Sequence, residues 1–255
     1  MKNLLLSAGC LSLLASSAHA ALVAGDLSVI GFRADATDSV AFVVWTTVNA
    51  GESIYFTDSG YFSDGTMRDS EDRMTWTAPT GGITAGTVIV IGSTDAQPNG
   101  TANIGTVTGR LNGLSASGDQ VFVGTTAFPG ASDTTMPGST YSGTLLFGLD
   151  FAGATGWATT ATGTNDSALP SVINSLGLNI GFADIDNGQF IGARTGMTID
   201  QYKAAIVNAA NWTTNDDGVA FGNLSTTAFT IVPEPAAAML GSLGMLGLLR
   251  RRRVR

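Results

Sequence analysis

The sequence predicts an all-β protein, a sandwich or barrel that carries one amphipathic helix. Three observations lead there. Short β-branched and aromatic runs recur along the chain. Clusters of Gly, Asn, Asp and Ser separate them, and these are the residues that turns require. Long helix-forming stretches are missing, and with 33 glycines and only 13% charged residues the composition is that of a secreted β protein.

Taken in order, the expected strands are LSVIGF (27–32), VAFVVWT (40–46), SIYFTD (53–58), RMTWTA (73–78) and TVIVIG (87–92). They continue with NIGTVT (103–108), QVFVG (120–124), TLLFGLDF (144–151), GQFIGA (188–193) and TAFTIV (227–232). Val40 to Trp45 is apolar at every position, so it reads as a central strand buried on both faces. The spacing favours a sandwich or barrel over βαβ units.

The helix is expected over 198–212. Thr198 can cap it, Gln201 completes a capping box, and Asp200 sits where the dipole favours an acid. Ile199, Tyr202, Ile206 and Ala210 form a stripe that should dock on the sheet. Residues 125–140 hold two Pro-Gly pairs and read as a soft linker. Residues 154–167 are of low complexity and read as irregular. Asn187-Gly188 and Asp217-Gly218 read as turns.

Both ends of the chain read as addresses. Lys2 supplies a positive start, and Leu4, Leu5, Leu6, Leu11, Leu13 and Leu14 supply an apolar stretch. Ala18-His19-Ala20 then fits a signal-peptidase site, with cleavage expected before Ala21. Ser7 to Cys10 resembles a lipoprotein cleavage box but lies too early, with too few apolar residues before it. At the other end, Ala236 to Leu249 is an apolar run of 14 residues. As a helix it is about 21 Å long, short for a hydrocarbon core of about 30 Å.

Removal of residues 1–20 takes away the only histidine, His19, and the only cysteine, Cys10. The remainder has no imidazole base for Ser-His-Asp or Cys-His chemistry. It also has no His or Cys to hold zinc or copper, and it can form no disulfide. Residues 21–232 form the expected body, with six basic residues against 19 acidic ones, a net charge of −13. That balance offers no basic patch for nucleic acid. It suits solubility and allows divalent cations.

The most acidic stretch holds Asp58, Asp64, Asp69, Glu71 and Asp72. A calcium loop is one reading of it. A solvated inter-strand loop is the preferred one, because EF-hand spacing is absent and Arg68 and Arg73 balance part of the charge. A carboxylate glycosidase needs only two acids, but nothing in the sequence selects a pair. Of the four tryptophans, Trp45 and Trp76 lie in strand runs, and Trp157 is expected to be the most exposed. No dinucleotide, P-loop or nucleophile-elbow motif occurs in the body.

Val232-Pro233-Glu234-Pro235, the apolar run 236–249 and the cluster Arg250, Arg251, Arg252, Arg253 and Arg255 resemble a PEP-CTERM sorting signal. The resemblance covers the last 24 residues and places the sorting domain at 233–255. It implies a Gram-negative host that makes exopolysaccharide and biofilm. It also implies recognition near the Pro-Glu-Pro by exosortase, a membrane transpeptidase-like cysteine protease. An arginine at the bilayer centre costs about 2.5–3.5 kcal/mol, so the five tail arginines should stay cytoplasmic and the body should lie outside.

A second resemblance lies in the body. AGDLSVIGFRAD, VAFVVWTTVNAGESIYFTDSGYFSDG and MTWTAPTGGITAGTVIVIG are similar to other PEP-CTERM and secreted bacterial proteins. Their strand order is like that of lamin-tail-type immunoglobulin sandwiches, and DNGQFIG and ANWTT look like the matching C-terminal half. An Ig-like β-sandwich is what this resemblance implies, and it brings no catalytic residues.

The expected function is that of an exported, non-enzymatic surface or biofilm-matrix protein. Its partners would be signal peptidase, exosortase, the inner membrane in passing and exopolysaccharide, with no nucleic acid. One alternative is a carbohydrate-binding module or carboxylate glycosidase acting on exopolysaccharide. The other is a calcium-dependent adhesin, with Ca2+ as the one candidate cofactor.

Overall fold

Alternation of apolar residues builds strands first, and the pairing of those strands then sets the architecture. The structure is a computed structural model that describes residues 21–234 except 36, 69–70, 94–97, 112, 131–135, 155, 163–165 and 218–221. The strands run β1 (Leu27–Arg33), β2 (Asp38–Val44), β3 (Ser53–Thr57), β4 (Arg73–Thr77), β5 (Val88–Ser93), β6 (Thr101–Ala102) and β7 (Thr106–Gly109). They continue with β8 (Gln120–Gly124), β9 (Leu145–Asp150), helix α1 (Ser171–Ser175), β10 (Asn179–Gly181), β11 (Asn187–Phe190) and β12 (Thr195–Met197). Helix α2 (Ile199–Ile206), β13 (Trp212–Asn215) and β14 (Thr230–Ile231) complete the order.

The protein is mostly β-sheet. One six-stranded sheet has the order β13-β11-β1-β2-β5-β6, and a second has β10-β9-β8-β3-β4-β7. The first is antiparallel throughout, and the second is antiparallel except for the parallel β9–β10 pair. β12 and β14 form a separate parallel pair.

The two large sheets pack face to face. Phe32 of β1 stacks on Phe151 just past β9, with centroids 4.4 Å apart. Phe42 of β2 meets Phe56 of β3 at 5.2 Å and the edge of Trp76 of β4 at 5.7 Å. Offset and edge contacts of this kind add to the area these rings bury.

β2 is buried at every position, as its apolar run predicts, and so are β8 and β9. A strand of that kind needs cover on both faces. Behind the first sheet, Trp45 stacks on Tyr202 of α2 at 5.7 Å, and Phe229 meets both rings. Behind the second sheet, Phe122 of β8 packs against Tyr61 and Trp157.

Several expectations need correction. The helix predicted over 198–212 ends at Ile206 and is followed by a single 3-10 turn, Ala209–Asn211. The capping box of Thr198 and Gln201 forms as expected, and Tyr202 and Ile206 dock. The helix stops because the side chain of Asn211 donates to the Ala205 carbonyl at 2.8 Å. The indole of Trp212 likewise donates to the Ile206 carbonyl, at 2.7 Å. Those carbonyls are then satisfied without another turn, and Trp212 begins β13.

Residues 103–108 are no single strand. The chain leaves the first sheet after β6 and enters the second at β7. Asn187-Gly188 is no turn but lies inside β11, where the Asn187 amide donates to Asp35 at 2.6 Å and Asn215 at 2.8 Å. Of the strand expected at 227–232 only β14 joins a ladder. The described flanks of the expected linker 125–140 are tied down: Phe128 is buried and stacks on Tyr141 at 4.5 Å, and Ser139 exchanges backbone hydrogen bonds with Met67.

Truncating Phe42 to alanine empties the centre of the inter-sheet core and should cost about 3–5 kcal/mol in urea denaturation. Thr214→Ala, on the exposed side of an edge strand, should stay within about 0.5 kcal/mol. Similar losses for both would mean that the core lies elsewhere.

Candidate functional site

The body ends at a junction of β12, β14 and α2. β14 lies beside β12, and Tyr202 of α2 donates its hydroxyl proton to the Thr230 carbonyl at 2.8 Å. Arg194 sits over the Phe229 ring at 4.9 Å and donates to the Thr227 carbonyl at 2.6 Å. Val232 then donates its N–H to the Met197 carbonyl at 2.9 Å, the last backbone hydrogen bond among the described residues. Val232, Pro233 and Glu234 are exposed beyond it.

Of the sequence-predicted motif, only Pro235 lies outside the described residues. The span 236–249 and Arg250, Arg251, Arg252, Arg253 and Arg255 lie outside them too, as do residues 1–20 with Ala18 and Ala20. No helix among the described residues is long and apolar enough to cross a membrane.

The start of the body lies at the same place. Ala21 is exposed and Leu22 is buried in the core. Val23 donates its N–H to the Asp26 carboxylate at 2.8 Å. Asp26 in turn lines a cleft of about 440 Å³ together with Trp45, Lys203, Val232, Pro233 and Glu234. Asp26, near the first described residue, and Val232 to Glu234, the last described ones, therefore line one cleft at the first turns of α2.

The acidic stretch gives a different picture from the expected solvated loop. Asp58, which follows β3, is only 2% exposed, and Arg68 only 1%. Glu71 forms an ion pair with Arg68. Asp72 faces Arg110 at 3.4 Å. Asp64 stands apart on the surface and accepts from the Thr66 N–H at 2.9 Å and hydroxyl at 2.6 Å, a local turn. Asp69 lies outside the described residues. Among the described residues no group of three or more acids is placed to hold a metal ion.

The structure brings to Asp58 groups that the sequence reading missed. Gln120, at the start of β8, donates its side-chain amide to the Asp58 carbonyl and to Asp119. Asp119 also accepts from the Gln120 N–H at 2.8 Å and the Ser115 N–H at 3.0 Å. Asp150, at the end of β9, faces Gln120 in the β8–β9 register and accepts from the Ala152 N–H at 3.0 Å. A lone acid inside the apolar run TLLFGLDF was the signal available for Asp150.

Burial governs the charge of these groups. It pushes Asp58 well above the usual carboxylate range, with help from Asp119, Glu71 and Asp72. Asp119 is pushed up to about 8 by burial and by Glu71, against the pull of the two N–H donors and Arg68. Asp150 is pushed up to about 7 by burial and by Asp166, against the Ala152 N–H. Glu71 is raised by burial and held back by Arg68. All three aspartates are closed to solvent, so they cannot reach a substrate as general acids or bases without an opening of the fold. The ends of β3 and β8 are tied by the Gln120 amide, which donates to the Asp58 carbonyl.

The chain matches no protein-family model, no curated protein and no solved structure.

Because these carboxyls bind protons more tightly folded than unfolded, stability is fullest below pH 4 to 5 and is lost as pH rises through about 7 to 8. Asp150→Asn keeps the acceptor for Ala152 and cannot ionise. It should match wild type at pH 5 and exceed it at pH 8.5, by at most about 3 kcal/mol. Thermal melts across that range check this. A variant that keeps the wild-type slope would remove Asp150 from the account.

Proposed function

We propose that the protein is an exported, non-enzymatic component of the cell surface or biofilm matrix, sorted and processed through its C-terminus by exosortase. One observation carries the reading: the fold's last backbone hydrogen bond is at Val232, and the Pro-Glu-Pro motif begins at the next residue. Pro233 and Glu234 are exposed, so a protease acting there need not unfold the body. Asp26, a few residues past the expected leader boundary at Ala20, and Glu234, within the motif, line the same cleft. That arrangement suits a chain held at a single membrane from both ends during export.

The body is read as an Ig-like sandwich of the lamin-tail kind. Two sheets packed face to face support this. Six strands in each sheet and the parallel β9–β10 pair are departures from it.

Fractionation tests the proposal in a Gram-negative host with and without exosortase. The full-length chain should leave the inner-membrane fraction only when exosortase is present, and a chain truncated after Val232 should be released in both hosts. Identical distribution of the two chains would end the sorting claim.

A further inference from the structure

The tryptophan that the core does not need lies on the back of the second sheet. Trp45, Trp76 and Trp212 are 4%, 0% and 7% exposed, whereas Trp157 is only partly buried. Its indole rests on two glycines. A Cβ at Gly181 would stand 3.0 Å from its Cδ1, and one at Gly148 would stand 3.1 Å from its Cη2. The chain thus keeps β9 and β10 bare where the ring lies, and Phe122 supports it at 5.6 Å.

Trp157 lines a cleft of about 360 Å³ with Gly153, Thr159, Thr160, Asp166 and Ser167. The volume falls within the roughly 300–1,000 Å³ of small-molecule sites. Thr159, Thr160 and Asp166 are exposed, and Ser167 is fixed by accepting the Tyr61 N–H at 3.0 Å. Two further polar atoms at this place are buried without a hydrogen-bond partner, the Trp157 Nε1 donor and Asp150 Oδ2. Asp150 is fully buried, and its other oxygen is held by Ala152 of the cleft wall. Buried polar groups are nearly always paired, so the unpaired Nε1 of a residue that lines an open cleft points to a partner that arrives from it.

We infer that this cleft binds an uncharged saccharide, with one sugar ring stacked on Trp157. A pyranose presents an apolar C–H face and a rim of hydroxyls that both donate and accept. An aromatic face ringed by hydroxyls and a carboxylate meets both needs. Of the unpaired atoms, the Trp157 Nε1 donor belongs to a residue of the lining and is the one those hydroxyls would meet. Charge selects the class. Asp166 stands exposed in the wall, and residues 21–232 carry a formal net charge of −13, so a uronic-acid polymer is repelled.

The test uses the full chain in a detergent without a sugar headgroup. Cellotetraose, mannotetraose and the N-acetylglucosamine tetramer are titrated against tryptophan emission and by calorimetry, with a mannuronate tetramer as the charged control. At least one neutral tetramer should saturate, with a Kd of about 1 mM or tighter, and the uronate should bind at least tenfold more weakly. Trp157→Ala should weaken binding at least tenfold, and Trp157→Phe should retain part of it. Thr159→Trp fills the cleft from an exposed position, so it should block binding even if Trp157→Ala fails to fold. Asp166→Asn should narrow the gap between neutral and charged tetramers. Three outcomes would overturn the inference: no neutral tetramer bound at 10 mM, undiminished binding by the folded Thr159→Trp variant, or tightest binding of the uronate.

Discussion

The structure depends on covering strands that are apolar on both faces. β2, β8 and β9 have no solvent side, and β1 exposes only part of Arg33. Packing the two sheets together buries one face of each. The opposite faces must be buried by something else, because leaving them wet forfeits about 25 cal/mol for each Å² of apolar surface. Behind the first sheet that cover is the last part of the chain: α2, Leu224 and Phe229. The C-terminal segment is therefore part of the core even though little of it pairs as a strand.

This requirement links the fold to the proposed route. An aromatic chain runs from Phe151 through Phe32, Phe182, Trp212, Phe190 and Phe229 to Trp45 and Tyr202. It stops three residues before Val232, and the backbone is released there. Among the described residues the backbone ladder runs through β14 and closes with the Val232 N–H on the Met197 carbonyl. On the proposed route, the motif would be cut beyond the last backbone hydrogen bond of the described residues. The same logic holds at the other end, where Leu22 is the first buried residue after Ala21.

The back of the second sheet is covered differently, and with more polar groups. Trp157 and Ile173 of α1 close over Gly148, while the sheet end beside them carries Asp58, Asp119, Asp150 and Gln120. The buried Arg68 guanidinium favours the charged form of Asp119, and Glu71 already engages it. One cation cannot balance four acids in a dry site, so protons make up the difference. Breaking such a cluster costs more than its formation contributes.

By itself the sequence determined the all-β character, the buried run of β2, the capping box of α2, the absence of His and Cys from residues 21–234, and the motif at 232–235. These follow from local chemistry: alternation, propensity and composition act within a few residues. Only the tertiary structure decided which face each strand presents, where β6 hands over to β7, and that Asn187-Gly188 pairs inside a strand. It also decided that α2 stops at Ile206, because its carbonyls are capped by Asn211 and Trp212. The same holds for the burial of Asp58 beside Asp119 and Gln120, which are some 60 residues away along the chain. Desolvation belongs to an assembled environment, and no local pattern around DSGYFSDG could announce it.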